Sequence, residues 1–229
     1  MEFNSTILEI IQRTYDVKSF RLFRHPKFNF KPGHCLRITL TINEKEESKY
    51  YSISSNPTLN EFLEFTQKLT ETKFSNKLDN LKKGDLVKID GPYGNFTFEG
   101  EFEEVAMLSG GVGITPCISM IMYCIDKKIN TNIVVLYSNR TEADILFKKE
   151  LDQIEKANPN IKIVYTLTRA NAHWNGYSGR IDKEMILSEI TDFSNRIFFL
   201  CGPPSFVSCM EKVLVKLNVD KYKIRKENF

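Results

Sequence analysis

The chain has 229 residues, 41% of them hydrophobic, with 32 Lys and Arg against 29 Asp and Glu. That content sustains two modest cores or one large one and excludes wholesale disorder, while a net charge of +3 gives no footprint for nucleic acid. No apolar run approaches a membrane span, and the start lacks the basic stretch and apolar block of a secretory signal, so a cytoplasmic location is expected. Short alternating or β-branched segments follow at 6–12, 17–23, 35–42, 50–54, 62–69 and 86–89. Turns such as Lys31-Pro32-Gly33 and Gly91-Pro92-Tyr93-Gly94 punctuate them, which predicts an antiparallel β-barrel with one short inserted helix over 75–81.

Past about residue 100 the rhythm becomes strand–helix alternation. Strands are expected at 105–108, 133–138, 161–167 and 197–201, and helices at 116–128, 142–157, 183–190 and 205–217. Repeated βα units imply an α/β domain with a parallel sheet and helices on both faces. The expected division is therefore 1–100, a β-barrel domain, and 101–229, an α/β nucleotide-binding domain. Five cysteines at 35, 117, 124, 201 and 209 and three histidines show no metal-ligand spacing, so no metal is expected.

The sharpest motif is Ser109-Gly110-Gly111-Val112-Gly113-Ile114-Thr115-Pro116, between a strand and a helix. Glycines allow a tight turn and a close backbone approach to pyrophosphate, and the following helix N-terminus favours an anion. Thr115 is expected at the N-cap and Pro116 at the first helical position. Later strand ends carry Arg140, Arg169 and the run Cys201-Gly202-Pro203-Pro204, where open α/β sheets bind ligands. In the first half, Lys49-Tyr50-Tyr51-Ser52-Ile53 sends Lys49, Tyr51 and Ile53 to one face and Tyr50 and Ser52 to the other. Lys73-Phe74-Ser75 opens the inserted helix and offers a second phosphate site.

In these motifs the chain resembles the ferredoxin–NADP reductase superfamily of flavoenzymes, which includes cytochrome b5 reductases and bacterial oxygenase reductases. The likeness covers nearly the whole chain. It implies a barrel that binds FAD and an α/β domain that binds a nicotinamide dinucleotide. Lys49-Tyr50-Tyr51-Ser52 is similar to the family's Arg-x-Tyr-Ser motif. By that likeness Tyr51 contacts the flavin, Ser52 hydrogen-bonds near N5, and Lys49 replaces the arginine on the FAD pyrophosphate. Lysine cannot form arginine's bidentate fork, so weaker FAD retention is expected and FMN stays an alternative. Lys73, Phe74 and Ser75 resemble the pyrophosphate segment without its usual glycine, and Thr66 and Lys68 the strand lining the flavin.

Gly110, Gly111, Val112, Gly113 and Thr115 match the family's nucleotide loop. Cys201 resembles the thiol beside the reacting carbons, with Gly202 and Pro203 following. Glu227 and Phe229 resemble the acidic residue and terminal aromatic of plant-type reductases. The resemblance implies hydride transfer from NAD(P)H to FAD between the domains, then single-electron delivery to a protein. Thr141-Glu142-Ala143-Asp144 is similar to NADH-using cytochrome b5 reductases, and Asp144 would repel a 2′-phosphate, whereas Arg140 and Arg169 would attract one. NADH is favoured over NADPH. The length leaves no room for a fused iron–sulfur domain, so the expected partner is a separate small acidic carrier: a ferredoxin, rubredoxin-like protein or flavodoxin. The positive excess lies in residues 1–98, with 15 basic and 12 acidic side chains, against 17 of each in 99–229. A monomer or weak dimer is expected. The alternative function is a flavoprotein subunit active only within a larger complex.

Overall fold

The computed structural model describes residues 1–193 and 195–228. Its contacts divide the chain into two units, 1–99 with 118–126, and 100–117 with 127–229. The first unit holds β1 (Glu2–Thr14), β2 (Val17–Phe23), β3 (Cys35–Ile42), β4 (Lys45–Ser52), β5 (Phe62–Lys68), α1 (Lys73–Asp79) and β6 (Leu86–Tyr93). The strands form an antiparallel sheet in the order β4-β3-β6-β1-β2-β5, and a bridge between Ile53 and Phe65 joins its two edges. Closure buries Phe20, Leu22, Leu36, Ile38, Leu63, Phe65 and Ile89 in one core.

Two boundaries differ from the pattern for identifiable reasons. β1 begins at Glu2 because it serves two partners, β6 through residues 2–6 and β2 through residues 7–14. β4 begins at Lys45, five residues early, because its first six residues are exposed and mostly charged. Charges of this kind on a strand's open side discourage pairing with foreign edges, and they erase the alternation that marks a half-buried strand.

The second unit holds β7 (Glu104–Gly110), the start of α2 (Ile114–Asp126), β8 (Asn132–Asn139), α3 (Lys148–Ala157), β9 (Ile161–Leu167), β10 (Tyr177–Ser178), α4 (Lys183–Glu189), β11 (Ile197–Gly202), α5 (Pro204–Lys216) and β12 (Ile224–Asn228). All sheet pairs are parallel, in the order β10-β9-β8-β7-β11-β12. The chain winds outward one way from β7 and then returns to wind the other way from β11. The strand order therefore reverses between β7 and β11, the place where open sheets bind ligands beyond their carboxyl ends. Ala106, Leu108, Val134, Leu136, Phe198 and Leu200 pack with Met185, Ile186, Val207, Met210 and Leu214 on one face.

Two helix expectations are corrected. The helix expected over 142–157 is a 3₁₀ turn, Glu142–Asp144, followed by α3 from Lys148. A capping box between Thr141 and Asp144 closes the turn, and buried Phe147 takes φ 56°, breaking the path before α3. Thr115 is not an N-cap: α2 starts at Ile114 after a 3₁₀ turn at Gly111–Gly113, and the Thr115 hydroxyl donates to the Val112 carbonyl at 3.0 Å. No helix among the described residues is long and apolar enough to cross a membrane.

Candidate functional site

In the first unit β3 pairs with β4 in register, placing Leu36 opposite Tyr51 and Cys35 opposite Ser52. Tyr51 and Ser52 are the first buried residues of β4. The Tyr51 ring lies 5.1 Å from Phe65 and 6.4 Å from Phe74, and the Lys49 ammonium stands 5.3 Å over the Phe74 ring. Lys49 and Tyr51 thus share a face, as the alternation required, and both meet Phe74 of α1. The Tyr51 hydroxyl is buried with no hydrogen-bond partner, and burial pushes its phenol well above the ordinary tyrosine value. A buried polar atom left unpaired costs free energy, so its presence marks a place for a polar ligand group. That orphan fits a cofactor held by this segment.

The other first-unit candidates have local partners. The Ser75 N–H donates to the Thr72 hydroxyl at 3.3 Å, and the Ser75 Oγ accepts from the Thr70 N–H at 2.8 Å. Lys68 pairs with Asp16 at 2.8 Å. The Thr66 hydroxyl bonds Ser19 at 2.7 Å and Ser54 at 3.1 Å. Ile53 is fully buried, and Lys73 is exposed beside Phe74.

In the second unit register aligns Tyr137, Ser109, Cys201 and Glu227 across β8, β7, β11 and β12. Side chains in one row of a parallel sheet point to the same face. Cys201 and Glu227, 26 positions apart in sequence, are therefore neighbours. Burial, with the charge of Glu227 nearby, pushes the Cys201 thiol well above the ordinary cysteine value. The glycine loop sits on this row. A Cβ on Gly113 would lie 2.3 Å from the Cys201 carbonyl oxygen, and one on Gly202 would lie 3.0 Å from the Gly110 oxygen. Gly111 is different: it has φ +55° and nothing within 4 Å of an added Cβ. The first two glycines serve internal packing; Gly111 leaves an open cradle of backbone, which fits a pyrophosphate. The Tyr137 hydroxyl secures that cradle by donating to the Gly111 carbonyl at 2.9 Å.

Arg140 and Arg169 are exposed and joined by a backbone bond of 2.8 Å, while the Asp144 carboxylate accepts from the Thr141 N–H and hydroxyl. Val112 lies half-buried in the loop and Pro203 is exposed ahead of α5. Phe229 lies outside the described residues. Sequence reasoning gave no role of their own to Ser109, which opens the glycine motif, or to Asn139, whose buried side-chain polar atoms have no hydrogen-bond partner. Both stand at carboxyl ends of strands; their signal was a polar residue closing a run otherwise fit for full burial.

Residues 6–98 match the model of an oxidoreductase FAD-binding domain and residues 107–212 that of an oxidoreductase NAD-binding domain. The chain is 31% identical over 234 residues to the glycine betaine monooxygenase reductase subunit of Chromohalobacter salexigens, covering 99% of this chain and 64% of that protein. It spans just under two thirds of that relative's length. With NADH-cytochrome b5 reductase 1 of Scheffersomyces stipitis it shares 34% identity, over 83% of this chain and 69% of the other. The cytochrome b5 reductase domain of Ulva prolifera nitrate reductase superposes with a TM-score of 0.89 at 25% identity, covering 99% and 97%. The chain belongs to the ferredoxin–NADP reductase superfamily of oxidoreductases, with an FAD-binding domain followed by an NAD-binding domain.

Proposed function

We propose that this chain takes a hydride from NAD(P)H, with NADH favoured, and delivers electrons singly to a separate protein acceptor. The observation that carries the reading is the buried, unpartnered Tyr51 hydroxyl beside Phe74 and Lys49. Bound FAD supplies the redox chemistry, accepting two electrons together and releasing them one at a time. Lys49 holds the pyrophosphate, Tyr51 packs the flavin, and the Ser52 hydroxyl meets N5. The Gly111 cradle takes the dinucleotide pyrophosphate, Thr115 and Cys201 position the nicotinamide, and Glu227 exchanges protons with solvent. The preference for NADH draws on the fixed Asp144 carboxylate and on the NADH-dependent reductase among the relatives. The positive excess in residues 1–98 suits a small acidic carrier such as a ferredoxin.

Ser52→Ala should keep flavin bound while slowing its reduction by NADH about 100-fold in stopped-flow absorbance. Reduction at the wild-type rate would remove Ser52 from the site. Initial rates with NADH and NADPH decide the nucleotide. A second reading, a subunit active only within a complex, is favoured by the match to a monooxygenase reductase subunit longer than this chain. Turnover of ferricyanide by the isolated chain would argue against it.

A further inference from the structure

Behind the Tyr51–Ser52 segment five polar side chains form a closed hydrogen-bonded ring: Arg13, Ser19, Thr66, Ser54 and Glu64. Three of its members, Ser19, Thr66 and Glu64, are no more than 4% exposed, and Ser54 is 7% exposed. Counting donors fixes the direction of every bond. Ser54 Oγ lies 3.2 Å from Glu64 Oε1, and a carboxylate only accepts, so the Ser54 proton points to Glu64. Each hydroxyl has one proton to give. The Ser54–Thr66 contact at 3.1 Å is therefore donated by Thr66, and the Thr66–Ser19 contact at 2.7 Å by Ser19. Arg13 Nε–H donates to Ser19 at 2.9 Å, and Arg13 Nη2 reaches Glu64 Oε1 at 3.1 Å. The bonds run one way from guanidinium to carboxylate, and no hydroxyl in the ring has a proton left to offer elsewhere.

Glu64 also grips the chain just after Ser52. Its carbonyl accepts from the Ser54 N–H at 2.8 Å, and its N–H donates to Ser55 Oγ at 2.9 Å. Arg21 Nε holds its second carboxylate oxygen at 2.9 Å, and Arg21 reaches outward to exposed Glu9 at 2.7 Å. Glu64 thus holds residues 54 and 55, with its backbone at both and its buried carboxylate at the Ser54 hydroxyl.

Building on the flavin reading above, we infer that Glu64 is a positioning residue for hydride transfer. It holds residues 54 and 55 so that Tyr51 and Ser52 keep their orientation. The ring it closes consumes the protons of Ser54 and Thr66, so neither hydroxyl donates to the flavin. Thr66 then lines the flavin without donating to it.

Glu64→Gln removes the negative charge that Arg13 and Arg21 share and sets a donor NH2 against one of them, with little change of shape. Stopped-flow reduction of the FAD-loaded protein at saturating NADH should slow about 10-fold, with KM for NADH within about twofold of wild type. The visible circular dichroism and midpoint potential of the bound flavin should shift. Ser54→Ala, which removes one hydroxyl and should fold even where Glu64→Gln does not, should move the same readouts by about threefold. Glu9→Gln severs only the exposed end of the chain and should leave them unchanged. Wild-type reduction rate and potential in Glu64→Gln, or in Ser54→Ala alone should the first variant not fold, would reduce the ring to a strand staple and overturn the inference. Wild-type protein that binds no flavin, or whose flavin NADH does not reduce, would overturn the flavin reading itself, and this inference with it.

Discussion

The two units prepare their sites by opposite means. In the first, polar side chains around the proposed flavin segment are tied to one another: Glu64 to Arg13, Arg21 and Ser54, Thr66 to Ser19 and Ser54, and Ser75 to Thr70. In the second, the geometry rests on missing side chains. Gly113 lies against the Cys201 carbonyl, Gly202 against Gly110, and the thiol of Cys201 is buried in the row beneath. A site built from directed hydrogen bonds is sensitive to lost donors and charges. One built from close backbone contact is sensitive to one added carbon.

The largest expected effect breaks that second device. Gly113→Ala places a Cβ 2.3 Å from a backbone oxygen that cannot rotate away. A β-strand and a helix start must separate to admit it, at a cost of about 3 kcal/mol or more. The midpoint of chemical unfolding should drop sharply, and NADH should no longer reduce the flavin of whatever folds. Near wild-type stability would show that the loop and β11 pack less tightly than their contacts indicate.

Alkaline unfolding tests the apolar burial of the same unit. Burial pushes the Cys117 thiol up to about 12 and the Cys201 thiol well above its ordinary value, with Glu227 adding to both. Folded thiols then stay neutral while unfolded ones ionise above about pH 8.5. Because the folded values are raised, this stability is complete below pH 8.5 and is lost as pH climbs toward them. Each thiol should remove about 1.4 kcal/mol per pH unit between roughly pH 8.5 and 10, seen as a falling denaturation midpoint. Cys117→Ser should flatten the slope; an unchanged slope would mean that the thiol ionises in the folded state.

Gly111→Ala should separate cradle from packing. Nothing crowds its Cβ, so only the left-handed backbone is strained, at about 1–2 kcal/mol. The new methyl would stand where the pyrophosphate is proposed to lie. KM for NADH should rise about 10-fold while the rate of flavin reduction at saturation changes little. Equal losses in Gly111→Ala and Gly113→Ala would collapse the distinction between the two glycines.

Much of this was legible from residue order because period and punctuation were strong. The parallel sheet could be read at β7, β8, β9 and β11, though not at the two-residue β10, since fully buried strands such as Glu104–Gly110 are nearly continuous apolar runs. β12 was not, because an edge strand reading Ile-Arg-Lys-Glu-Asn carries no apolar period. Tyr51, Phe74 and the glycine loop were singled out by motif. Glu64 was not, since a lone acid inside Phe62–Lys68 looks like the solvent-facing position of an alternating strand. Only the fold shows it buried, with Arg13 arriving from a strand 51 residues away. Cys201 and Glu227 were both nominated, but their adjacency follows from β11–β12 pairing that no spacing announces.

The smallest expected effect returns to the first unit and its departure from the family motif. The Lys49 ammonium lies 5.3 Å over the Phe74 ring, a contact that orients the side chain and leaves it solvent-exposed. An ammonium meets a phosphate as a point charge, whereas a guanidinium supplies two parallel donors and stacks at least as well on an aromatic face. Lys49→Arg should therefore tighten FAD by about fivefold, measured by recovery of flavin fluorescence on dilution, without altering FMN affinity by as much. The asymmetry follows because FAD carries two linked phosphates that a fork can bridge. Equal tightening of FAD and FMN would place Lys49 at the phosphate both share. No tightening of either would remove it from the phosphate altogether and leave it a surface cation resting on Phe74.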